Sequence, residues 1–256
     1  MLKWGLLLKS LGITLVLLII RLIIDFLSFD VLSLSTLVTA FIGGAIFTVA
    51  IIFMGTLTDY KESERIPGDI AASVKALYNE CNFYRQDPGF VALMQAHIVD
   101  LLGVINTNFR KNVWNISEID AAMDRVNRDI FVLIDNNVAP PMIVKLRSEM
   151  TNIDRISNRI RQIAETSFIP AAYSIAELAT AAVIVLLFFI RLEFIEGLAL
   201  FTVLSVLLIA LLLLIKDMDN PFEVGRQTYA DIDLFLLFDL EEHLKTGTRP
   251  GSQMNP

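Results

Sequence analysis

The chain of 256 residues contains one cysteine, Cys81, so no disulfide can form within it, and two histidines, His97 and His243, neither with Cys or His neighbours at metal-ligand spacing. A glycine-rich phosphate loop is missing, and so is any serine in a Gly-x-Ser-x-Gly turn. These absences remove the usual platforms for metal, nucleotide and acyl-transfer chemistry. They predict a protein that is not an enzyme and carries no cofactor. An excess of positive charge is also lacking. The formal net charge is −7, whereas a nucleic-acid partner calls for a basic face, so no nucleic acid is expected. Nowhere does the chain alternate apolar and polar residues as a half-buried strand would, and an all-α protein follows.

What the sequence has in abundance is apolar side chain. At 55% hydrophobic residues it exceeds an ordinary soluble domain, which predicts an integral membrane protein. Four stretches, 4–27, 36–57, 169–190 and 194–215, approach the ~20 apolar residues needed to cross a hydrocarbon core of ~30 Å as a helix. The first has too long an apolar part for a signal peptide and no small-x-small cleavage site after it, and reads as an uncleaved anchor.

Lys and Arg set the expected orientation. The 28–35 loop has none and the turn between the last two spans has Arg191 alone, while 58–168 holds 13 of the chain's 21 basic residues. Lys3 and Lys9 at one end, and Lys216, Arg226, Lys245 and Arg249 at the other, point the same way. Basic loops stay inside, so both termini and the central segment are expected to be cytoplasmic, in a plasma or inner membrane. Asn115-Ile116-Ser117 matches a glycosylation acceptor but falls on that side and carries no meaning there.

The central segment reads as helices. Ile70, Val74, Leu77 and Cys81 recur at helical spacing from Asp69 onward, with Cys81 as a buried thiol, and Asp87-Pro88-Gly89 marks a turn. A second run carries Phe90, Leu93, Ile98, Leu101, Leu102 and Ile105. A third, opened by Asn115 or Ser117, has Ile119, Met123, Val126, Ile130 and Leu133. Pro140-Pro141 starts a fourth, with Leu146, Met150, Ile153, Ile156, Ile160 and Ile163 on one face, running toward the membrane with an interruption near Phe168-Ile169-Pro170. The expected domains are therefore a first helix pair (1–57), a cytoplasmic helical bundle (58–168), a second helix pair (169–216), a turn with an amphipathic cytoplasmic tail (217–245) and a disordered end (246–256). The stretch from Ile232 to Leu244 is expected to lie along the bundle or a neighbouring subunit, with Phe235 and Leu236 above all packing against the bundle.

Polar groups within the spans stand out, because a charge at mid-membrane costs about 2.5 to 3.5 kcal/mol on insertion scales. Arg21 and Asp25 are four residues apart and predict a local pair. Glu177 has no partner nearby in sequence and either faces a wet cavity or meets another helix. Gly43-Gly44 marks either close helix packing or a constriction.

Three motifs in a fixed order carry a family resemblance. After the fourth span comes Asp219-Asn220-Pro221-Phe222, followed by an acidic, leucine-bearing segment. Pro170-Ala171-Ala172-Tyr173 opens the third span within "RIRQIAETSFIPAAYSI", and "DYKESERIPGDI" after the second span supplies Tyr60 and Pro67. Together with the order of two spans, helical domain and two spans, these resemble the bestrophin superfamily. They are most similar to the bestrophin-like family of four-span membrane proteins of prokaryotes and plants.

The resemblance implies an ion channel, a homopentamer with a central pore whose neck is lined by the second span and whose cytoplasmic helices close to an aperture. Partners would be other copies of the chain, membrane lipid and the permeating small ions. Matching Tyr60 to the family tyrosine puts the neck at Thr39, Gly43 and Phe47. The family prefers bulky apolar groups there, so either this neck is wider or Ile42 and Ile46 do the lining. Counting back from Pro170 places the aperture at Met142 and Ile143. The family favours anions such as chloride or bicarbonate, although cations pass in some members. Asp217, Asp219 and Asn220 are weak calcium candidates, because Glu223-Val224-Gly225-Arg226 separates the turn from Asp231 and Asp233 where animal relatives have a tight aspartate run. No metal is assigned. The alternative is a non-conducting, membrane-anchored interaction or scaffold protein acting through its helical bundle.

Overall fold

The computed structural model describes residues 4–27, 29, 31–165, 170–191, 193–219, 221–222 and 230–246. These form nine helices in two compact units, with the division falling in the last turn of the second helix, after Tyr60. The expected interruption at Phe168-Ile169, the residues 223–229 and the chain end 247–256 lie outside the described residues.

The first unit contains α1 (Gly5–Phe26), α2 (Thr36–Ser63, up to Tyr60), α7 (Pro170–Phe189) and α8 (Phe194–Met218). All four are long apolar runs with no proline past the first residue, which leaves nothing to break the i to i−4 ladder. The main neighbour of α1 is α8, which also packs on α7. The inward face of α1 carries Ser10, Thr14 and Arg21, while its leucines and isoleucines mostly face outward. This reversal fits a lipid surround, where apolar burial does not drive helices together and small residues permit close approach. Gly197, Ser205 and Ala210 are small buried groups of α8. Two clusters fill the interior, one around Val183, Leu187, Phe201 and Leu208, the other around Val49, Ala176 and Ile215.

Two further features of this unit were only partly expected. The Arg21–Asp25 pair forms at 2.9 Å, and Arg21 also donates to the carbonyls of Leu187 (2.9 Å), Phe188 and Ile190 (2.9 Å) at the end of α7. It thereby satisfies acceptors that a helix C-terminus leaves open. Beside it, β1 (Leu32–Ser33) pairs in parallel with β2 (Ile190–Arg191), Leu32 opposite Ile190. The strand-free expectation is corrected here. Two residues are too few to show alternation, yet backbone groups held away from water still need partners.

The second unit contains α3 (Ile66–Cys81), α4 (Pro88–Lys111), α5 (Ile116–Asp135), α6 (Pro140–Glu165) and α9 (Phe235–Thr246). Helix α3 begins three residues ahead of Asp69, because Pro67 is tolerated in a first turn. Asp87 caps α4 by accepting from the Phe90 amide at 2.9 Å, and Asn112 ends it in the left-handed conformation (φ 52°). Asn115 flanks α5, accepting from Ser117 and donating to Glu118. The expected stripes, including Ile70, Leu77, Leu101, Ile119, Leu146 and Ile153, form the core. Cys81 is buried there, its thiol donating to the Leu77 carbonyl, and burial pushes its pKa up to about 12.

Helix α9 does pack on the bundle, against α3 and α4. It buries Leu237 and Leu240, with Leu234 just ahead, while Phe235 and Leu236 are exposed. Phe235 thus lies off the packed side, while Leu236, though largely exposed, lies over Gly68 of α3, since one helix side presents positions three apart.

Among the described residues, five helices suffice by length and composition alone to cross a membrane. The one beyond the four expected stretches is α4.

Candidate pore-lining face

Helix α2 has 28 residues and so spans about 42 Å at 1.5 Å per residue, longer than a hydrocarbon core. Its two candidate faces meet different surroundings. Ile42 and Ile46, with Val38 and Ala45, pack against the buried cluster of α7 and α8. Thr39, Gly43 and Phe47 lie on the uncovered side, where Phe47 is 66% exposed. Among the described residues, a Cβ added at Gly43 or at Gly44 meets nothing beyond its own stretch of helix within 4 Å, so neither glycine serves close packing against another described element of this chain. Polar side chains on this helix bond back to its own carbonyls, Thr39 to Ser35 at 3.1 Å and Thr48 to Gly44 at 2.9 Å. Such bonds let hydroxyls sit in an apolar setting without other partners.

Met142 and Ile143 occupy the first turn of α6 and are half-buried, next to the exposed Val144. Pro140 and Pro141 set that start, where missing amide hydrogens cost nothing.

Glu177 on α7 meets a helix: Lys216 of α8 approaches its carboxylate at 2.5 Å, with both side chains about half exposed. Two of the three resemblance motifs also converge in this unit. The buried Tyr173 hydroxyl lies beside Thr56 and Asp219, the first residue of the Asp-Asn-Pro-Phe turn. Asp217 accepts from the Ala230 amide at 2.6 Å, and Asn220 lies outside the described residues. Among the described residues no three His, Cys, Asp or Glu side chains come together as a metal site would require. The turn's Phe222 is buried in the second unit, its ring 5.8 Å from Phe109, which in turn lies 5.0 Å from Trp114.

One polar cluster escaped the sequence reading. Glu241 of α9 is buried against α4, accepting from Asn106 at 2.7 Å and from Lys245 at 2.5 Å, with Arg110 at 3.6 Å. Asn106 donates to the Leu237 carbonyl as well, and a Cβ on Gly103 would come within 3.3 Å of the Glu241 carboxylate. Gly103, Asn106 and Arg110 lie three and four residues apart, and that polar stripe on an apolar helix is the signal that was available.

No protein-family model matches the chain, and neither does any curated protein. Solved structures do. A point variant of a bacterial bestrophin homologue from Klebsiella pneumoniae superposes with a TM-score of 0.77 at 10% identity, covering 93% of this chain and 99% of that one. Another variant of that homologue gives 0.78 at 11% identity, over 94% and 99%. A third structure of it gives 0.74 at 11% identity, over 96% and 98%. At such identities it is the path of the chain that is shared, over nearly its whole length, and this protein has the bestrophin-like fold.

Proposed function

We propose that this protein is the subunit of a bestrophin-like ion channel, a ring of five copies around a central pore that passes anions in preference to cations. The reading takes four spans, α1, α2, α7 and α8, with both termini and the α3 to α6 bundle on the cytoplasmic side. It leaves α4 in the bundle, because that helix carries His97, Asp100, Asn106 and Asn108 and is packed among α3, α5 and α9. Asp100 pairs with Arg125, and His97 lies 2.7 Å from Asp129. A lipid-facing helix would leave these groups unsatisfied.

The observation that carries the proposal is the two-sidedness of α2. Ile42 and Ile46 are partly buried against the α7 and α8 cluster, while Thr39, Gly43 and Phe47 are left uncovered one turn apart. This favours Thr39, Gly43 and Phe47 as the neck over Ile42 and Ile46. Five Phe47 rings would narrow the path and present ring edges, whose partial positive charge suits an anion, while Gly43 leaves room beside them. Met142 and Ile143 sit in the first turn of α6, off the line of its exposed stripe, and would form the second, cytoplasmic constriction by the helix end itself pointing at the axis.

The oligomer tests this reading. In nanodiscs the protein mass should be that of five 28.7 kDa chains. A monomer or dimer would instead favour a membrane-anchored scaffold that conducts nothing.

A further inference from the structure

Helix α6 presents two unlike faces. Leu146, Met150, Ile153, Ile156 and Ile160 are buried in the bundle. On the other side Val144, Ser148, Thr151, Arg155, Asn158 and Gln162 recur at steps of four and three, and all six are exposed. Such spacing keeps one direction along the helix. A solvated helix face ordinarily mixes both signs of charge, whereas past Val144 this stripe holds hydroxyls, amides and a single cation.

That cation differs from its neighbours. Lys145 is answered by Glu80 at 2.7 Å, Arg159 by both oxygens of Glu62 at 3.1 and 2.8 Å, and Arg161 by both oxygens of Glu165 at 3.1 Å. Arg147 lines a cleft with Asp120, Asp124 and Asp154. Arg155 instead donates to the side-chain oxygen Oδ1 of Asn152 at 2.7 Å, and Asn152 Nδ2 donates to the Ser73 hydroxyl at 2.7 Å. Ser73 is buried in α3, so the relay is anchored in the core. A neutral amide fixes the guanidinium without cancelling its charge, and among the described residues Arg155 has no carboxylate partner.

We propose that the exposed stripe of α6 faces the permeation path and that Arg155, held by Asn152 and Ser73, sets the preference of that path for anions. The proposal rests on the channel reading above. Five copies would place five fixed positive charges around the path, and charges lining a narrow passage bias which ions enter. One carboxylate, Asp154, adjoins the stripe and accepts from the Asn158 side chain at 2.9 Å, so Arg155 acts beside it, while carboxylates more than about 8 Å away are screened at 0.15 M salt.

The test is the reversal potential of the full-length protein in planar bilayers under a potassium chloride gradient. Arg155→Gln keeps a hydrogen bond to Asn152 and removes the charge, so it should move the reversal potential toward that of potassium, a several-fold fall in the chloride-to-potassium permeability ratio. Arg155→Lys should retain most of the anion preference. Asn152→Ala should lower it partway, a change that a merely structural role for Asn152 would not produce. An unchanged reversal potential in a conducting Arg155→Gln channel would overturn the proposal while leaving the channel reading standing. Loss of the oligomer in both Arg155→Gln and Arg155→Lys would also overturn it, marking Arg155 as a contact between copies. Absence of current in the wild type and every variant would overturn the channel reading itself.

Discussion

Arg21 donates to the carbonyl of Ile190 at 2.9 Å and to Asp25 at the same distance, so one buried side chain of α1 closes the end of α7 and holds it beside the short β pair. Replacing Arg21 with Met leaves Asp25 uncompensated and the carbonyls of Leu187, Phe188 and Ile190 without their donor. Breaking one side of a buried ion pair costs about 3 to 5 kcal/mol. Thermal unfolding in detergent should show a loss of that order for Arg21→Met, and a smaller one for Asp25→Asn, whose side chain is a quarter exposed. Equal, small losses in both would mean that the cap contributes little.

The Glu241 cluster predicts how α9 responds to acid. Burial raises the carboxyl's pKa, but hydrogen bonds from Lys245 and Asn106 and the charges of Lys245 and Arg110 outweigh it and hold the group below its usual 4.5. A depressed folded-state pKa means that the stabilisation is complete above the unfolded-chain value and is lost as pH falls through the folded one. Hydrogen-exchange protection of α9 should therefore stay constant at neutral pH and fall only below the normal carboxylate range. Glu241→Gln should weaken protection at neutral pH, by about 1 to 3 kcal/mol, and abolish the acid step.

Orientation can be read by labelling intact cells with an impermeant thiol reagent. Ser33→Cys, in the linker that lacks Lys and Arg, should react from outside, and Asn115→Cys in the bundle should be spared. The reverse pattern would invert the topology.

Much of this architecture is written in local periodicity. The Arg21–Asp25 pair is legible because four residues are one helical turn, and α6 is legible because its isoleucines repeat at three and four. The carbonyls that Arg21 also binds are more than 160 residues away, and no local pattern encodes them. Leu237 and Leu240 were not singled out over Phe235 because "LFLLFDL" is apolar at nearly every position, so periodicity alone does not identify the buried side. The same uniformity hid the choice between the Ile42 and Phe47 faces of α2, and only packing against α7 and α8 separates them. Arg155 is one basic residue among five in the sequence of α6. Its distinction lies in its partner, an amide tied to α3.

The central claim is that ions pass along the uncovered face of α2. It is tested most directly by ion flux into liposomes containing wild type, Phe47→Ala and Ile46→Ala, under chloride and then potassium gradients. A ring of apolar side chains can block ions by dewetting even where it is wider than the bare ion, so trimming it should open the path. The account predicts faster chloride flux in Phe47→Ala, with Ile46→Ala, a partly buried side chain packed on α7 and α8, showing instead a stability loss of about 1 to 3 kcal/mol and wild-type flux. Met142→Ala, at the proposed second constriction, should alter ion preference with less effect on rate. Flux unchanged in Phe47→Ala but raised in Ile46→Ala would move the pore to the other face of α2. No flux of either ion in any well-folded variant would contradict the channel.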